Sequence, residues 1–377
     1  MQGDPRTQQE SPTLQNAEAL LQRYSWALPI QGVPKVPSKD IKVGLLAYGA
    51  IGDEHNKAVQ ATEGLSLYAV CDTNPERLTA ALQISPDAKT FTDADQMLAQ
   101  GDLDLVVIST PPNSHYKWAK QALLLGLHVM LEKPMALTTQ ECDELLELAD
   151  IKGALLVVYQ NRRYDLDFLT IKEQIENGQI GDLFHYESFV GGYSKPCDYW
   201  HSDAAISGGA IFDWGSHFID QIMSLVPSEV DFVSGLNQKR VWDHVTNADH
   251  AQVSINFKDG SQAVFINSDL AAARKPKFYI LGTKGALIGN WDESAGGAVA
   301  DLPAIITLHR GDGSSEVIEH VSHVPYSFYS SLVAYLNDAT PMSVLATQSR
   351  DVVAIMEAAE ESALANGKPI SLVLLRA

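Results

Sequence analysis

The chain has 377 residues, which is more than one ordinary hydrophobic core accommodates, so two domains are expected. Hydrophobic residues make up 45% of the chain and charged residues 20%, a composition that is ordinary for a globular protein. The formal net charge of −20 disfavours nucleic acid and membrane surfaces as partners, because an acidic field repels their phosphates.

Residues 1–40 differ in composition from the rest of the chain and form an N-terminal extension. They are rich in Gln, Pro, Ser and Asp. Within them Ala17, Leu20, Leu21 and Tyr24 have helical spacing, which predicts one short amphipathic helix. The segment is either a disordered tail or an arm that packs on a partner subunit.

Over residues 41–162 predicted strands alternate with predicted helices, which is typical of a doubly wound parallel sheet. The predicted strands are Ile41–Ala47, Leu65–Cys71, Leu103–Ser109, Val129–Leu131 and Leu155–Gln160. The predicted helices cover residues 49–62, the segment after Asn74, Asp93–Leu98, His115–Leu125, and a stretch from the capping box at Thr138–Glu141 to Gly153. The first domain, residues 41–162, is therefore predicted to have a Rossmann-like α/β fold.

Over residues 163–377 the pattern changes to longer, more alternating strands, joined by turns such as Lys258-Asp259-Gly260. The predicted strands are Leu183–Val190, Val230–Leu236, His250–Phe257, Gln262–Ser268, Lys277–Gly282 and Ile305–His309. The predicted helices are Leu166–Asn177, Phe328–Asn337 and Ser349–Asn366. These elements predict an α+β domain with a large, mostly antiparallel open sheet.

A glycine-containing turn follows the first predicted strand, with the sequence Ala47-Tyr48-Gly49-Ala50-Ile51-Gly52. In this A-x-G-x-x-G pattern Gly49 lets the backbone approach a pyrophosphate, and Gly52 lets the helix pack closely on the sheet. The N–H groups at the helix start, at Ala50 and Ile51, then face the phosphates. Ala47 replaces the usual first glycine. An alanine is tolerable at this position if its φ is negative. The pattern predicts a dinucleotide-binding Rossmann turn, with an ordinary turn of an α/β sheet as the alternative.

The second predicted strand ends at Asp72, 20 residues after Gly52, which matches the offset expected for a ribose-binding acid. A carboxylate at this position accepts hydrogen bonds from the adenosine hydroxyls and repels a 2′-phosphate. We therefore expect NAD to be preferred over NADP. Arg77 lies close by in sequence and weakens that preference.

Two polar segments follow the next strands, at the carboxyl ends where ligands bind in parallel sheets. One contains Thr110, Pro111, Pro112 and His115, and the other is Glu132-Lys133-Pro134. Partial desolvation beside a nicotinamide cation lowers the pKa of such a lysine and makes it usable in proton transfer. A surface turn is the alternative for the Lys-Pro pair taken alone.

Asp213 and His217 are spaced i and i+4 after the glycine pair Gly208-Gly209, so on a helix they share one face. The histidine can move a proton to or from a substrate hydroxyl, and the aspartate can orient it. A capping aspartate with a core histidine is one alternative. A zinc site is another, but a third ligand with suitable spacing is missing, so no metal is expected.

This ordered set of motifs resembles the glucose–fructose oxidoreductase/inositol dehydrogenase (Gfo/Idh/MocA) family over about residues 41–377. The stretch from Gln160 to Asp165 resembles the scyllo-inositol dehydrogenase-like branch. The resemblance implies catalysis by Lys133, Asp213 and His217, with His217 as the acid/base. It also implies NAD or NADP as cofactor, a sugar or polyol substrate, and a homodimer or homotetramer formed through the open sheet.

The resemblance and the motif positions together predict two sets of binding residues. The cofactor set is Gly49, Ala50, Ile51, Gly52, Asp72, Arg77, Thr110, Pro111, Pro112, His115, Glu132, Lys133 and Gln160. The substrate set is Lys133, Arg163, Tyr193, Trp200, Asp213, His217 and Tyr329. An ion pair with Asp165 or Asp167 is the favoured alternative for Arg163. The segment Phe189–Tyr193 lacks the polar contacts that inositol dehydrogenases place there, so the expected substrates extend beyond inositol.

Three widely spaced cysteines, Cys71, Cys142 and Cys197, form no C-x-x-C pair, which fits a reducing compartment. No apolar run approaches the roughly 20 residues that a bilayer crossing needs, and the N-terminus does not resemble a signal peptide. We therefore expect a cytoplasmic protein.

The function predicted from the sequence is hydride transfer between a nicotinamide and a CH–OH carbon of a sugar, inositol or related polyol. A dihydrodiol dehydrogenase-like activity, or imine or ketone reduction on a smaller substrate, is an alternative enzyme function. A non-catalytic NAD-binding regulator and a sugar-binding structural protein are alternatives from other classes.

Overall fold

The computed structural model describes residues 40–292 and 302–375. The helix predicted around residues 17–24 lies outside the described residues. In the part of the chain that is described, no helix combines the length and the apolarity that a membrane crossing requires.

The first domain is built on a six-stranded parallel sheet with the strand order β3-β2-β1-β4-β5-β6. Its strands are β1 (Ile41–Leu46), β2 (Leu65–Cys71), β3 (Lys89–Phe91), β4 (Leu105–Ile108), β5 (His128–Leu131) and β6 (Leu156–Val158). Its helices are α1 (Ala50–Ala61), α2 (Pro75–Ile84), α3 (Ala94–Leu98), α4 (His115–Leu124) and α5 (Thr139–Lys152). The predicted α/β fold of this domain is confirmed, and the sequence missed only the short β3 among its strands.

The second domain contains an eight-stranded sheet with the strand order β14-β13-β12-β11-β7-β10-β9-β8. Its strands are β7 (Leu183–Gly191), β8 (Val230–Gln238), β9 (His250–Phe257), β10 (Gln262–Ser268), β11 (Phe278–Gly282), β12 (Gly285–Asn290), β13 (Ile305–Arg310) and β14 (Ser315–Val317). All neighbours in it pair antiparallel except β7 and β10. The mostly antiparallel sheet is confirmed, while β12 and β14 were not predicted.

Five α-helices complete the described fold. They are α6 (Leu166–Glu176), α7 (Ala204–Ser207), α8 (Gly215–Leu225), α9 (Ser327–Asp338) and α10 (Ala346–Leu364). One-turn helices at Pro112–Ser114, Asn161–Tyr164 and Trp200–Ser202 lie in the loops between these elements.

One face of the parallel sheet is covered by a helix that comes from far along the chain. Phe328, Tyr329, Leu332 and Leu336 of α9 join the same buried cluster as β1 and α1. The opposite face of the sheet shares a second cluster with α8, α10 and the large sheet. The segment 163–377 therefore contributes to the core of the first domain as well as forming the second.

Candidate functional site

A continuous cavity of about 1230 Å³ lies along the carboxyl ends of the parallel strands. At one end it is bordered by the glycine turn and by Asp72, and at the other by Lys133, Asp213 and His217. Both domains line it. The cavity thus connects residues predicted to bind the dinucleotide with Lys133, Asp213 and His217.

The glycine turn leads directly from β1 into α1, and Gly49, Ala50 and Ile51 line the cavity. A side chain added at Gly49 would meet nothing within 4 Å, so the space next to its backbone is open. The backbone N–H groups in the first turn of α1 have no partners within the helix and are available to an anion. At Gly52, a Cβ would lie 2.9 Å from the Ala47 carbonyl oxygen, so Gly52 serves packing and lies below the cavity.

Ala47 differs from the expectation stated above. Its φ is +75°, in the left-handed region, where a Cβ is unfavourable. A negative φ, the condition under which this alanine would be tolerated without cost, is therefore not met. The turn keeps the conformation that a glycine would adopt, and the alanine adopts it at a local energetic cost.

Asp72 ends β2 with its carboxylate buried at the edge of the cavity. One oxygen accepts the Tyr48 N–H at 2.7 Å and the other accepts the Asn74 N–H at 2.8 Å. The Arg77 guanidinium is 3.5 Å from the same carboxylate and is half exposed. Each ionised oxygen has more than one acceptor site, so the carboxylate can still accept bonds from ribose hydroxyls.

A dinucleotide fits this half of the cavity. The open backbone at Gly49, the free N–H groups of α1 and the carboxylate of Asp72 suit a phosphate pair and a ribose. Thr110, Pro111 and Pro112 form the wall between this end and Glu132 and Lys133. Among the described residues, no His, Cys, Asp or Glu side chains are grouped as a metal ion would require.

His115 and Gln160 do not line the cavity, although both were predicted to bind cofactor. The buried His115 ring lies between two loops, with Nδ1 2.8 Å from the Pro134 carbonyl oxygen and Nε2 2.7 Å from that of Thr110. Burial lowers the pKa of His115 in spite of these contacts. The Gln160 side chain is also buried. His115 therefore supports the two loops that carry the cavity wall.

Lys133 and Asp213 meet across the cleft between the domains, with the lysine Nζ 2.6 Å from the aspartate Oδ1. Burial by itself raises the pKa of Asp213, but the charge and hydrogen bond of Lys133 outweigh it and lower that pKa. Asp213 is therefore ionised and holds the ammonium group at this end of the cavity.

His217 lies in the first turn of α8, next to this ion pair. Its pKa is well below the ordinary value because it is buried and because Lys133 and Arg162 place positive charge near it. The imidazole is consequently neutral. Its Nδ1 is buried and has no hydrogen-bond partner among the described residues.

Asp213 and His217 do not lie on one helix, which is the condition under which their i and i+4 spacing gives them a shared face. The helix begins at Gly215, and Asp213 lies in the preceding turn, where its carbonyl oxygen accepts the Ser216 hydroxyl at 2.7 Å. The turn still brings both side chains to the same cavity.

A second chamber of about 490 Å³ adjoins the end of the cavity that contains Asp213. Tyr199, His201, Asp213 and Trp214 line both spaces. The further lining includes Gly192, Tyr193, Asn247, Asn267 and Asp269. Aromatic rings and amide groups beside the lysine–aspartate pair suit a small polar ligand with apolar faces.

Four of the predicted substrate residues lie in four different environments. Trp200 lines the main cavity and Tyr193 lines the second chamber. Tyr329 is fully buried below the cavity, where its hydroxyl contacts His55. Arg163 is away from both spaces and forms a two-pronged ion pair with Asp220 at 2.6 Å. The expected ion pair of Arg163 exists, but Asp165 and Asp167 were the wrong partners.

Several lining residues were not in the predicted sets, including Arg162, Tyr199 and His201, which carry large polar or aromatic side chains. Arg162, next to Arg163, lies over the Trp214 ring at 5.1 Å and lines the cavity. His201 stacks on Trp200 at 3.6 Å, and Tyr199 is packed beside it. The cluster of aromatic residues at 199–201 was a signal in the sequence. Nothing in the sequence distinguishes Arg162 from Arg163, because only the tertiary fold decides which of them turns inward.

Comparisons with known proteins agree with this geometry. The family model described as "Oxidoreductase family, NAD-binding Rossmann fold" matches residues 41–160, and the model described as "GFO/IDH/MocA C-terminal domain" matches residues 168–288. The scyllo-inositol 2-dehydrogenase (NADP(+)) IolW of Bacillus subtilis is 27% identical over 85% of this chain and 93% of its own length.

Two further similarities have comparable extent. The myo-inositol 2-dehydrogenase of Thermotoga maritima is 25% identical over 74% of this chain and 81% of its own length. The crystal structure of an NAD-binding protein from Listeria innocua superposes with a TM-score of 0.78 at 29% identity, covering 89% of this chain and 98% of that one. The match extends through both domains of the chain.

Proposed function

This chain belongs to the Gfo/Idh/MocA oxidoreductase family, and we propose that it transfers a hydride between a nicotinamide dinucleotide and a CH–OH carbon of a sugar, inositol or related polyol. One observation carries the proposal. A single cavity connects the glycine turn and Asp72 with Lys133, Asp213 and His217. A ligand as long as a dinucleotide can therefore occupy the first part while its reactive end lies beside the three polar side chains.

His217 is the residue suited to take the hydroxyl proton in the oxidation direction. Its neutral imidazole can accept a proton, and burial keeps it neutral. The dinucleotide, when bound, supplies the hydride acceptor. In the reverse direction the protonated imidazole returns the proton to the oxygen.

Lys133 is suited to hold the substrate oxygen, because its ammonium group donates hydrogen bonds and favours negative charge that develops on that oxygen. Asp213 keeps the ammonium group in place through the 2.6 Å ion pair. Asp213 also lines the second chamber, where the rest of the substrate would lie.

The proposed substrate class rests on the second chamber and on the related inositol dehydrogenases. Its aromatic and amide groups match the apolar faces and hydroxyls of a ring polyol. Gly191 and Gly192, at the end of β7, line this chamber with backbone in place of side chains, and Gly191 packs directly on Ser268. The relative IolW is named for scyllo-inositol, which supports a polyol without defining this chain's own.

We also propose that NAD is preferred over NADP. The Asp72 carboxylate lines the cavity at the adenosine end and would repel a 2′-phosphate. Arg77 is 3.5 Å from it and already neutralises part of this charge. The relative IolW carries NADP(+) in its name, so the preference has to be measured on this chain.

The catalytic assignment is tested by initial rates of nicotinamide reduction over a panel of polyols and sugars. We expect Lys133→Ala and His217→Ala to lower kcat by about 10²- to 10⁴-fold. Lys195→Ala and His244→Ala are matched controls outside both spaces and should retain activity. Full activity in either catalytic variant contradicts the assigned role. Tight NAD binding with no substrate oxidised would favour the regulator.

The cofactor assignment is tested by titrating the protein with NADH and NADPH and following nicotinamide fluorescence. We expect tighter binding of NADH, and Asp72→Ser should reduce the difference between the two cofactors. Arg77→Ala should weaken NADPH more than NADH. Tighter binding of NADPH by the wild-type protein contradicts the preference.

We propose finally that subunits pair through the open face of the eight-stranded sheet. The strand registers place Glu187, Tyr279, Ile288, Thr307 and Val317 in one row across that face. Alternate residues in β7, β11 and β12, such as Tyr186, Phe278 and Leu287, are buried in the core. An exposed row that includes tyrosine, isoleucine and valine suits contact with a second copy.

A further inference from the structure

Three buried polar side chains form a hydrogen-bonded chain beneath the catalytic loop. They come from three distant elements: Tyr329 from α9, His55 from α1 and Glu132 from the end of β5. The His55 Nδ1 is 2.5 Å from the Tyr329 hydroxyl, and its Nε2 is 3.1 Å from the Glu132 Oε1. Tyr329 and His55 are almost completely buried. Tyr329 and Glu132 were predicted to contact ligands, and His55 was not among the predicted site residues.

The chemistry of the two ends fixes the direction of the hydrogen bonds. Burial raises the pKa of Tyr329 well above its ordinary value, so its hydroxyl keeps its proton. The pKa of Glu132 is lowered despite burial, so its carboxylate accepts from the His55 Nε2, and the Tyr329 hydroxyl donates to the Nδ1 that remains as an acceptor. The His55 proton is then on Nε2, which donates to the Glu132 carboxylate. Each donor faces an acceptor, so a neutral imidazole satisfies the whole chain.

The other oxygen of Glu132 connects this chain to the catalytic loop. It accepts the backbone N–H of Lys133 at 3.1 Å. Glu132 also lines the cavity at the end near Lys133. The backbone of the lysine is therefore fixed by a carboxylate whose own orientation is set by His55.

A structural role alone does not explain these side chains. They lie at the edge of an apolar cluster formed by α1, α9 and the parallel sheet. Replacing a buried polar set by apolar side chains of similar shape is often neutral or stabilising. The hydrogen-bonded chain ends at Glu132, next to Lys133. At this position a carboxylate can fix the backbone of the lysine.

We propose that Tyr329 and His55 are positioning residues that hold Glu132, and through it the Lys133 loop, in the arrangement used for hydride transfer. The proposal rests on the proposed function in one respect, the role of Lys133. Under this proposal α9, which begins some 200 residues after Lys133, supports the end of the cavity where the nicotinamide would bind.

The first test compares variants that break the chain with variants that preserve it. We expect His55→Leu and Tyr329→Phe to lower kcat by about 10- to 100-fold, because small misplacements of reacting groups have effects of this size. The KM for substrate and the Kd for NADH should change by less than about threefold, because the groups that contact both ligands remain. A structural collapse would instead affect all three quantities.

Two further variants separate positioning from packing. A glutamine amide can accept from the Tyr329 hydroxyl and donate to Glu132, so His55→Gln should recover most of the kcat that His55→Leu loses. Tyr186→Phe is the control for removing a buried tyrosine hydroxyl, because Tyr186 is fully buried in β7, and its hydroxyl has no partner within residues 40–292 and 302–375. It should leave kcat unchanged. Wild-type kcat in both His55→Leu and Tyr329→Phe overturns the proposal, as does equal loss in His55→Gln and His55→Leu.

The second test does not depend on activity. Imidazole ¹⁵N NMR of the full-length protein reports which ring nitrogen carries the proton, and the His55 signals are assigned by their loss in His55→Gln. We expect the ring proton on Nε2, with Tyr329→Phe shifting the Nδ1 signal. A ring protonated at Nδ1 overturns the proposal. If wild type oxidises no substrate in the panel while the NMR result is as expected, the proposed function fails and the hydrogen-bonded chain stands.

Discussion

His217 is neutral at physiological pH because burial and two neighbouring positive charges, on Lys133 and Arg162, all disfavour its charged form. A neutral base loses its function only when it becomes protonated. We therefore expect kcat/KM for oxidation to be independent of pH around the ordinary histidine pKa of about 6.5 and to fall only at clearly lower pH.

The measurement is the pH profile of kcat/KM in the oxidation direction. An acidic limb with an apparent pKa at or above about 6.5 would contradict the assignment of His217 as a buried neutral base. His244→Ala, which changes an exposed histidine, should leave the profile as it is in the wild type.

Ala47 is the residue where the sequence pattern and the backbone disagree. It adopts a φ of +75°, which costs an L-residue about 1–2 kcal/mol. Glycine removes this cost but loses roughly 0.5–1 kcal/mol through its greater freedom in the unfolded chain. We expect Ala47→Gly to stabilise the protein by roughly 0.5 kcal/mol, measured as a small rise in Tm.

The control for that substitution is Ala80→Gly, in the exposed interior of α2, where the backbone is helical. It should destabilise by about 1 kcal/mol, because glycine is a poor helix former. If both substitutions change the stability in the same direction, the backbone strain assigned to Ala47 does not exist. The first glycine of the family's turn would then be replaceable without consequence.

At the scale of elements, the helices with clear capping signals were predicted well. Asn74 caps α2 with Pro75 in its first turn, and the capping box of α5 forms between Thr138 and Glu141. The missed α8 begins at Gly215, and its N-cap, Trp214, makes no side-chain cap hydrogen bond. Tertiary packing stabilises that helix, since nearly all of its residues are buried, and no local signal marks its start.

The strands that the sequence missed are also explained by their surroundings. β3 and β14 have three residues each, and those of β14 are all exposed. A strand of this length has no periodicity to detect, and its backbone pairs only because a longer neighbour is present. β12 contains two glycines, at 285 and 289, which read as turn residues until the paired strands are known.

The capping box of α5 gives the element-scale prediction. Thr138 accepts the Glu141 N–H, and the Glu141 carboxylate accepts the Thr138 N–H. Thr138→Ala should lower the stability by about 1 kcal/mol, seen as a lower Tm, with no change in kcat. Thr138→Ser keeps the accepting oxygen and should retain most of the stability. An unchanged Tm in Thr138→Ala would show that tertiary contacts alone hold the start of α5.

At the scale of the whole molecule, the sequence indicated the two folds but not how they interlock. A division at residue 162 places α9 in the second domain, although its buried face packs on the first. The contact between His55 and Tyr329 joins residues 274 positions apart. Such contacts depend on the complete path of the chain, which local periodicity does not encode, and the same holds for the choice of Arg162 over Arg163 at the cavity.

The proposed subunit contact through the open face of the large sheet concerns the molecule as a whole. Tyr279 is 40% exposed, Ile305 is 41% exposed and Val317 is 66% exposed, and all three lie on the side away from the helices. If two copies pair there, a charge placed in the row is forced into an apolar contact. Tyr279→Glu and Val317→Glu should therefore reduce the assembled species to a smaller one in sedimentation velocity experiments. Ile151→Glu, an equally drastic change at a 70% exposed position in α5, should leave the assembly intact. A wild-type protein that sediments as a monomer, or an assembly insensitive to Tyr279→Glu, would place the subunit contact elsewhere or remove it.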